Sequence, residues 1–372
     1  MTGFLGALGV LGAIVLFVAA HEAGHYFAAK ATGMKVTEFF IGFGPRIWSF
    51  KRGDTEYGIK PIPAGAYVKI VGMSDMEEVD PADEGRTYRS KPFWQKSIVV
   101  LAGVAANFVL AFFLFFGLAL WSGEQVATTT VDELVVIENG AATAAEAAGI
   151  RPGDSIVSFD GVPATDWDVL QDAVAASQPG DTVDVVVERS GERLVLTATL
   201  GARSDDPSVG QLGILPRIIR ESIGVPEAAG LSASEIGRHI GGAFQLFARV
   251  FRFDSLSELA GGIAGNEVSD DIRPVSIVGL VQLGSQADAL GGLPGLIYLL
   301  GLVNVVLGTI NALPLPPLDG GHFAVALFEK VTKRKADMRA LIPVAVFVIG
   351  ALSILGVMTI ILDIVNPIEI PS

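Results

Sequence analysis

Four stretches of this chain run uncharged for about as long as a helix needs to cross the roughly 30 Å hydrocarbon core of a bilayer: residues 3–20, 97–121, 293–317 and 340–362. Between the first two the pattern changes. Gly42-Phe43-Gly44-Pro45 and the stretch 56–70, punctuated by Gly58, Pro61, Pro63 and Gly65, lead into a Val/Ile/Tyr-rich run at 66–71. This spacing predicts short strands and turns, a hairpin or small sheet against the membrane face. Residues 74–85 predict a polar flexible loop.

A third pattern fills residues 128–216. It predicts a strand at 135–137, a helical patch at 141–148, a turn over Gly149-Ile150-Arg151-Pro152-Gly153-Asp154 and a strand at 155–159. A tight turn at Asp160-Gly161, a helix over 167–176 and a hairpin of 184–189 with 193–200 about Ser190-Gly191 complete it. From 232 to 253 the apolar residues Ile236, Ile240, Phe244, Phe247 and Phe251 recur at helical spacing, so this segment is expected on the membrane surface or packed on the spans. The chain thus divides into a first span (1–30), a β-rich loop (31–96), a second span (97–121), a compact α+β domain (128–216), an amphipathic segment (217–292), a third span (293–322) and a fourth (340–364). The fold class is a polytopic α-helical membrane protein with four transmembrane helices and two appended β-containing parts.

Charge orients these pieces. All ten lysines lie within 30–96 and 330–335, while residues 1–20 carry no basic residue. By the positive-inside rule those segments face the cytoplasm, and both termini and the compact domain face outward. Residues 122–292 hold 10 Arg against 25 Asp plus Glu and no Lys. That acidity reads as a solvated surface and argues against nucleic acid as a partner. The absence of cysteine removes thiolate catalysis and thiolate ligation, so a metal here needs His, Asp or Glu.

The chemistry begins with His21-Glu22-Ala23-Gly24-His25 at the inner end of the first apolar run. Ionisable residues at membrane depth are functional candidates by default. Residues four apart share a helix face, so both imidazoles can reach one zinc ion while Glu22 serves as general base. A catalytic zinc takes three protein ligands and leaves one position open. Asp319, after Pro314, Pro316 and Pro317 and before Gly320-Gly321, reads equally as the third ligand or as a helix cap; His322 is the other candidate. His239, alone on the amphipathic segment, reads as structural. Asn304 and Asn311 are candidates for holding substrate main chain or a developing oxyanion, or for bonding between helices. Val68 and Ile70, in the β-rich loop, are candidates for pairing with an extended substrate by β-addition, since a helical substrate must unwind before its peptide bonds can be attacked.

His21 to His25, Gly42-Phe43-Gly44-Pro45, Lys91-Pro92-Phe93-Trp94-Gln95-Lys96, and Asn311 with Leu318-Asp319-Gly320-Gly321-His322 together resemble the bacterial site-two protease family of intramembrane zinc metalloproteases. The resemblance runs in order over nearly the whole chain. It implies His21, His25 and Asp319 as Zn2+ ligands and Glu22 as general base. It further implies hydrolysis of a peptide bond in or near the transmembrane segment of a pre-trimmed single-span protein, in regulated intramembrane proteolysis at a bacterial inner membrane. Anti-sigma factors and remnant signal peptides are the substrate classes it suggests. Residues 128–216 resemble a PDZ domain, with the Gly149–Ile156 turn and Asp160-Gly161 as its core; residues 210–214 read equally as its carboxylate-binding strand or as Gly-rich turns. In the family such domains filter or bind substrates. The sequence departs from the family at Val104, where a proline is usual three residues before Asn107, and at Arg273-Pro274-Val275-Ser276. A membrane-anchored PDZ adaptor without hydrolytic activity, and a metal transporter, are the competing readings.

Overall fold

The computed structural model describes residues 2–73, 77–135, 142–203, 206–263, 266, 268–269, 272–286 and 289–368. They form two compact units, one of Met1–Leu120 with Gly224–Ser372 and the other of Trp121–Ile223.

The first unit opens with α1 (Thr2–Ala31) and continues into β1 (Val36–Phe43), β2 (Trp48–Arg52), β3 (Thr55–Ile59) and β4 (Ile62–Ile70), followed by α2 (Phe93–Ser122). The strands form one sheet in the order β2-β3-β1-β4. β1 runs parallel to β3 and antiparallel to β4, which leaves β4 at an edge. The register sets Trp48 opposite Ile59 and Phe50 opposite Tyr57, with Phe39 beside Tyr57 and Ile41 beside Ile59. Because successive side chains alternate between faces, these apolar residues share one face. On that face Tyr26 of α1 makes ring contacts with Phe39 and Tyr57. Ser49, Glu56 and Glu38 occupy the other face, where Ser49 and Arg46 both donate to Glu56 and Tyr67 donates to Glu38. The expected small sheet is present. Part of the expected flexible loop forms a 3-10 turn over Glu84–Arg86, and residues 74–76 lie outside the described residues.

The second unit contains β5 (Glu124–Leu134), α3 (Ala144–Ala148), β6 (Ser155–Phe159), β7 (Val162–Pro163), α4 (Trp167–Ala175), β8 (Thr182–Arg189), β9 (Glu192–Thr199), β10 (Gly201–Ala202), β11 (Gly210–Gln211) and β12 (Ile214–Glu221). Its main sheet runs β12-β5-β6-β8-β9, with β7 paired to β6. The β8–β9 hairpin turns through Ser190 and Gly191, both at positive φ (55° and 85°), as the tightest right-twisted hairpins require. The core gathers Val131, Ile150, Ile156, Phe159, Leu170, Val185 and Val187. Asp166 caps α4 by accepting from the Val169 amide. Most of the strand predicted at 135–137 lies outside the described residues: β5 ends at Leu134, Val136 and Ile137 are outside them, and so is Ala141, the first residue of the predicted helical patch.

The chain returns to the first unit with α5 (Val225–Val250), α6 (Phe253–Ile263), α7 (Ile277–Ser285), α8 (Leu293–Asn311), α9 (Asp319–Thr332) and α10 (Met338–Val365). The amphipathic helix predicted at 232–253 begins earlier, with Pro226 in its first turn, and stops at Val250. Arg273 and the Ser276 amide both reach the fully buried carboxylate of Asp363, which ties the start of α7 to the end of α10. Among the described residues four helices are long and apolar enough to cross a membrane: Gly3–Ala31, Phe93–Ser122, Leu293–Asn311 and Arg339–Val365. The third is shorter than its apolar run. Pro314, Pro316 and Pro317 carry no amide hydrogen, so the helix ends at Asn311 and a new one starts at Asp319.

Candidate metal centre and its cavity

Two glycines set the geometry. A Cβ on Gly24 would lie 2.4 Å from the Ala102 carbonyl oxygen, and one on Gly103 would lie 2.3 Å from His25 Nε2 and 2.9 Å from His21 Cε1. α1 and α2 therefore cross in backbone contact, the close approach that small residues permit between membrane helices. The crossing puts both imidazoles against α2. His25 Nδ1 donates to the Val99 carbonyl at 2.8 Å. A carbonyl only accepts, so Nδ1 holds the proton and Nε2 presents a lone pair, the form in which imidazole binds a metal. α2 is continuous through Val104, so the missing family proline leaves no break there.

Asp319 arrives from the other side. Gly320 and Gly321 let α9 fold back on the proline-rich turn: Cβ atoms there would lie 2.1 Å from Ala312 O and 2.5 Å from Pro316 N. Leu318, not Asp319, is the N-cap of α9. The carboxylate is thus free of a capping role, and its Oδ2 lies 3.1 Å from His21 Nε2 and 3.2 Å from His25 Nε2. Those Nε2 atoms are 3.2 Å apart, and the three side chains are the described group of His, Asp and Glu residues positioned to hold a metal ion. Asp319 Oδ2 and His21 Nδ1 are buried without a hydrogen-bonding partner. Lone pairs converging on one point without protons to bridge them repel one another unless a cation sits among them, so the donor set fits Zn2+. His322 does not join it; it lines a separate small cavity with Tyr88, Lys96 and Glu329.

Glu22 and His21 border a cavity of about 210 Å³ that Asn107, Asn311, Leu307 and Asp319 also line. Glu22 Oε2 accepts from the Val68 amide at 3.0 Å. Val68 therefore meets the site through its backbone, whereas Ile70 is buried in a cluster with Val36, Tyr88, Val99 and Val100. Of the two amides picked from the third span, Asn311 lines the cavity. Asn304 is fully buried outside it and donates to Leu300 O in its own helix. His239 contacts Tyr298 and Glu235, remote from this cluster in sequence and bonding. The residue that sequence reasoning left without a role is Asn107. Its one signal was to be the only amide in the second apolar run.

The profile of peptidase family M50 matches residues 9–357. The chain is 31% identical to zinc metalloprotease Rip1 of Mycobacterium tuberculosis (strain H37Rv), over 96% of each chain. It is 33% identical to metalloprotease MmpA of Caulobacter vibrioides, over 96% of this chain and 94% of that one. A putative zinc metalloprotease of Nostoc sp., all3971, is 30% identical over 87% of this chain and 85% of its own. With its histidine pair, its carboxylate and its four apolar helices in the order the resemblance required, the chain belongs to peptidase family M50.

Proposed function

We propose that this protein is a zinc-dependent intramembrane endopeptidase that cuts pre-trimmed single-span membrane proteins in or near their transmembrane segment. The observation that carries this reading is that Glu22 borders a single cavity with two of the three convergent ligands, His21 and Asp319, while His25 Nε2 lies 3.2 Å from the ligand atom of each. His21, His25 and Asp319 hold the metal. Zinc in such a site acidifies water and polarises a carbonyl. Glu22 takes the proton of the attacking water and returns it to the leaving amine. The Val68 amide keeps the carboxylate turned toward the cavity. β4, an edge strand, receives the unwound substrate by β-addition and replaces the hydrogen bonds its helix gives up. Asn311 holds substrate main chain or the developing oxyanion.

Residues 128–216 act as a PDZ domain facing the outside of a bacterial inner membrane, with both termini on that side and the metal site near the cytoplasmic side. Support for peptide binding comes from a groove of about 130 Å³ between α4 and the 210–214 segment, lined by Trp167, Leu170, Val174, Leu212 and Ile214. The domain filters or grips the outer remnant of the substrate. An adaptor built on this domain alone has no physical reason to keep Glu22 and three ligands at membrane depth.

The test is cleavage of a single-span substrate already stripped of its outer domain, comparing wild type with Glu22→Gln in the same membranes. Cleavage by wild type alone supports the reading. Equal results from two zinc-loaded proteins overturn it in favour of the adaptor.

A further inference from the structure

The cavity contains an amide that the mechanism above does not use. Asn107 sits in α2, 99% buried by its 1% exposure, and lines the cavity with Glu22, His21 and Asp319. Its Oδ1 has no hydrogen-bonding partner. A buried carboxamide oxygen without a partner is unfavourable and calls for an explanation, and one beside a cavity can be completed by what enters that cavity. Asn304 is a useful contrast. It too is buried and its Oδ1 also lacks a partner, but its Nδ2 bonds to the Leu300 carbonyl one turn back in α8, and it is not among the residues that line this cavity.

Packing, not polar bonding, holds Asn107 in place. A Cβ on Gly308 of α8 would approach the Asn107 Cβ to 3.3 Å, and Ala111, one turn further along α2, is fully buried. The side chain is thereby fixed with its polar end free. The ligand chemistry follows from the group. A carboxamide offers one acceptor and a donor pair in one plane, which matches the C=O and N–H of a peptide unit. At this depth an extended substrate has lost its internal hydrogen bonds and finds no water to replace them.

We propose that Asn107 is a substrate-binding residue whose carboxamide hydrogen-bonds the substrate main chain beside the scissile peptide, so that it acts on every substrate whatever its side chains. This rests on the endopeptidase reading. The experiment is done with the full-length protein and two variants: Asn107→Leu, close in volume, and Asn107→Ala, with Asn304→Leu as the structural control. Zinc affinity is read by chelator competition, and kcat and KM on two pre-trimmed substrates of different sequence at the cut. Binding of each uncleaved substrate is read on the zinc-loaded Glu22→Gln background.

The expected result is a loss of about tenfold or more in both kcat/KM and substrate affinity for Asn107→Leu and Asn107→Ala, similar for both substrates, with zinc affinity unchanged. Asn304→Leu is expected to cleave as wild type does. Unchanged substrate binding in the Asn107 variants overturns the proposal, and so does a loss that accompanies loss of zinc, which would make Asn107 a support of the metal site. A wild type that fails to cleave while its Glu22→Gln form still binds substrate more tightly than Asn107→Leu/Glu22→Gln defeats the endopeptidase reading and leaves the contact standing.

Discussion

The backbone amide of Val68 donates to Glu22 Oε2 at 3.0 Å, across 46 residues of chain. This bond joins the sheet to the helix that carries the metal-binding pentad, alongside the Tyr26–Tyr57 hydroxyl contact, and it uses an amide on the edge strand. Val68→Pro removes the donor, whereas Val68→Ala keeps it. If the bond orients Glu22, Val68→Pro is expected to lower kcat by at least about tenfold with zinc still bound, and Val68→Ala to stay within about twofold of wild type. Equal activities in the two variants would show that this bond does not position the base.

Gly103 permits the contact on which the histidines depend. A methyl group there would meet His25 Nε2 at 2.3 Å, and the imidazole, pinned through Nδ1 to Val99 O, has nowhere to retreat. Gly103→Ala is therefore expected to lose zinc, with overpacking of about 1–3 kcal/mol. Gly117→Ala in the same helix meets no atom within 4 Å and should be harmless or slightly stabilising. Zinc content of the two purified proteins by elemental analysis decides the matter.

Much of this site was legible in the sequence because membrane depth makes polar residues conspicuous. His21, His25 and Asp319 stood out for that reason, and helical periodicity placed the two histidines on one face. The competition over Asp319 was not resolvable from spacing, because a carboxylate before Gly-Gly suits a cap and a ligand equally well; only the fold-back of α9 decides its direction. Asn304 and Asn311 looked alike in the sequence. They differ by seven residues, two turns of α8, which put one in the cavity and the other in packed protein. Val68 was chosen for its strand, yet its link to Glu22 is a long-range backbone contact that no local pattern encodes.

The helix bearing Asp319 has a second anchor. Lys96 Nζ, near the start of α2, lies 3.2 Å from Glu329 Oε2 in α9, and both side chains are mostly covered. The two anchor residues on α9 are ten positions apart, about 15 Å along the helix. Lys96→Met leaves Glu329 without its partner and is expected to destabilise the protein by about 2 kcal/mol, between exposed and fully buried pairs. Thermal unfolding of Lys96→Met, Glu329→Gln and the double variant measures it. If the pair matters, the double variant is less destabilised than the sum of the singles; simple additivity would mean that the two charges do not interact.

In the second unit, Asp154 explains why the Gly149–Ile156 turn is so fixed. Its carboxylate is buried, accepts from the Arg151 amide at 2.8 Å, and pairs with Arg189 through two bonds of 2.7 Å. Burial by itself raises the pKa of Asp154, but the Arg189 guanidinium and the Arg151 amide outweigh it and hold the carboxyl below its ordinary value. An aspartate in the unfolded chain titrates near about 3.9. The stabilisation is therefore complete above that pH and drains away as pH falls through the lower folded-state value, because the unfolded chain then binds the proton first. Asp154→Asn should flatten the dependence of stability on pH below about 4, and Asp154→Ala should cost on the order of 3 kcal/mol at neutral pH by breaking the pair. Hydrogen exchange of β6 and β8 amides in the full-length protein reads this unit locally. An unchanged acid slope in Asp154→Asn would assign the pH dependence to other carboxylates. Arg189→Lys should rescue little, because an ammonium cannot make the paired bonds of a guanidinium.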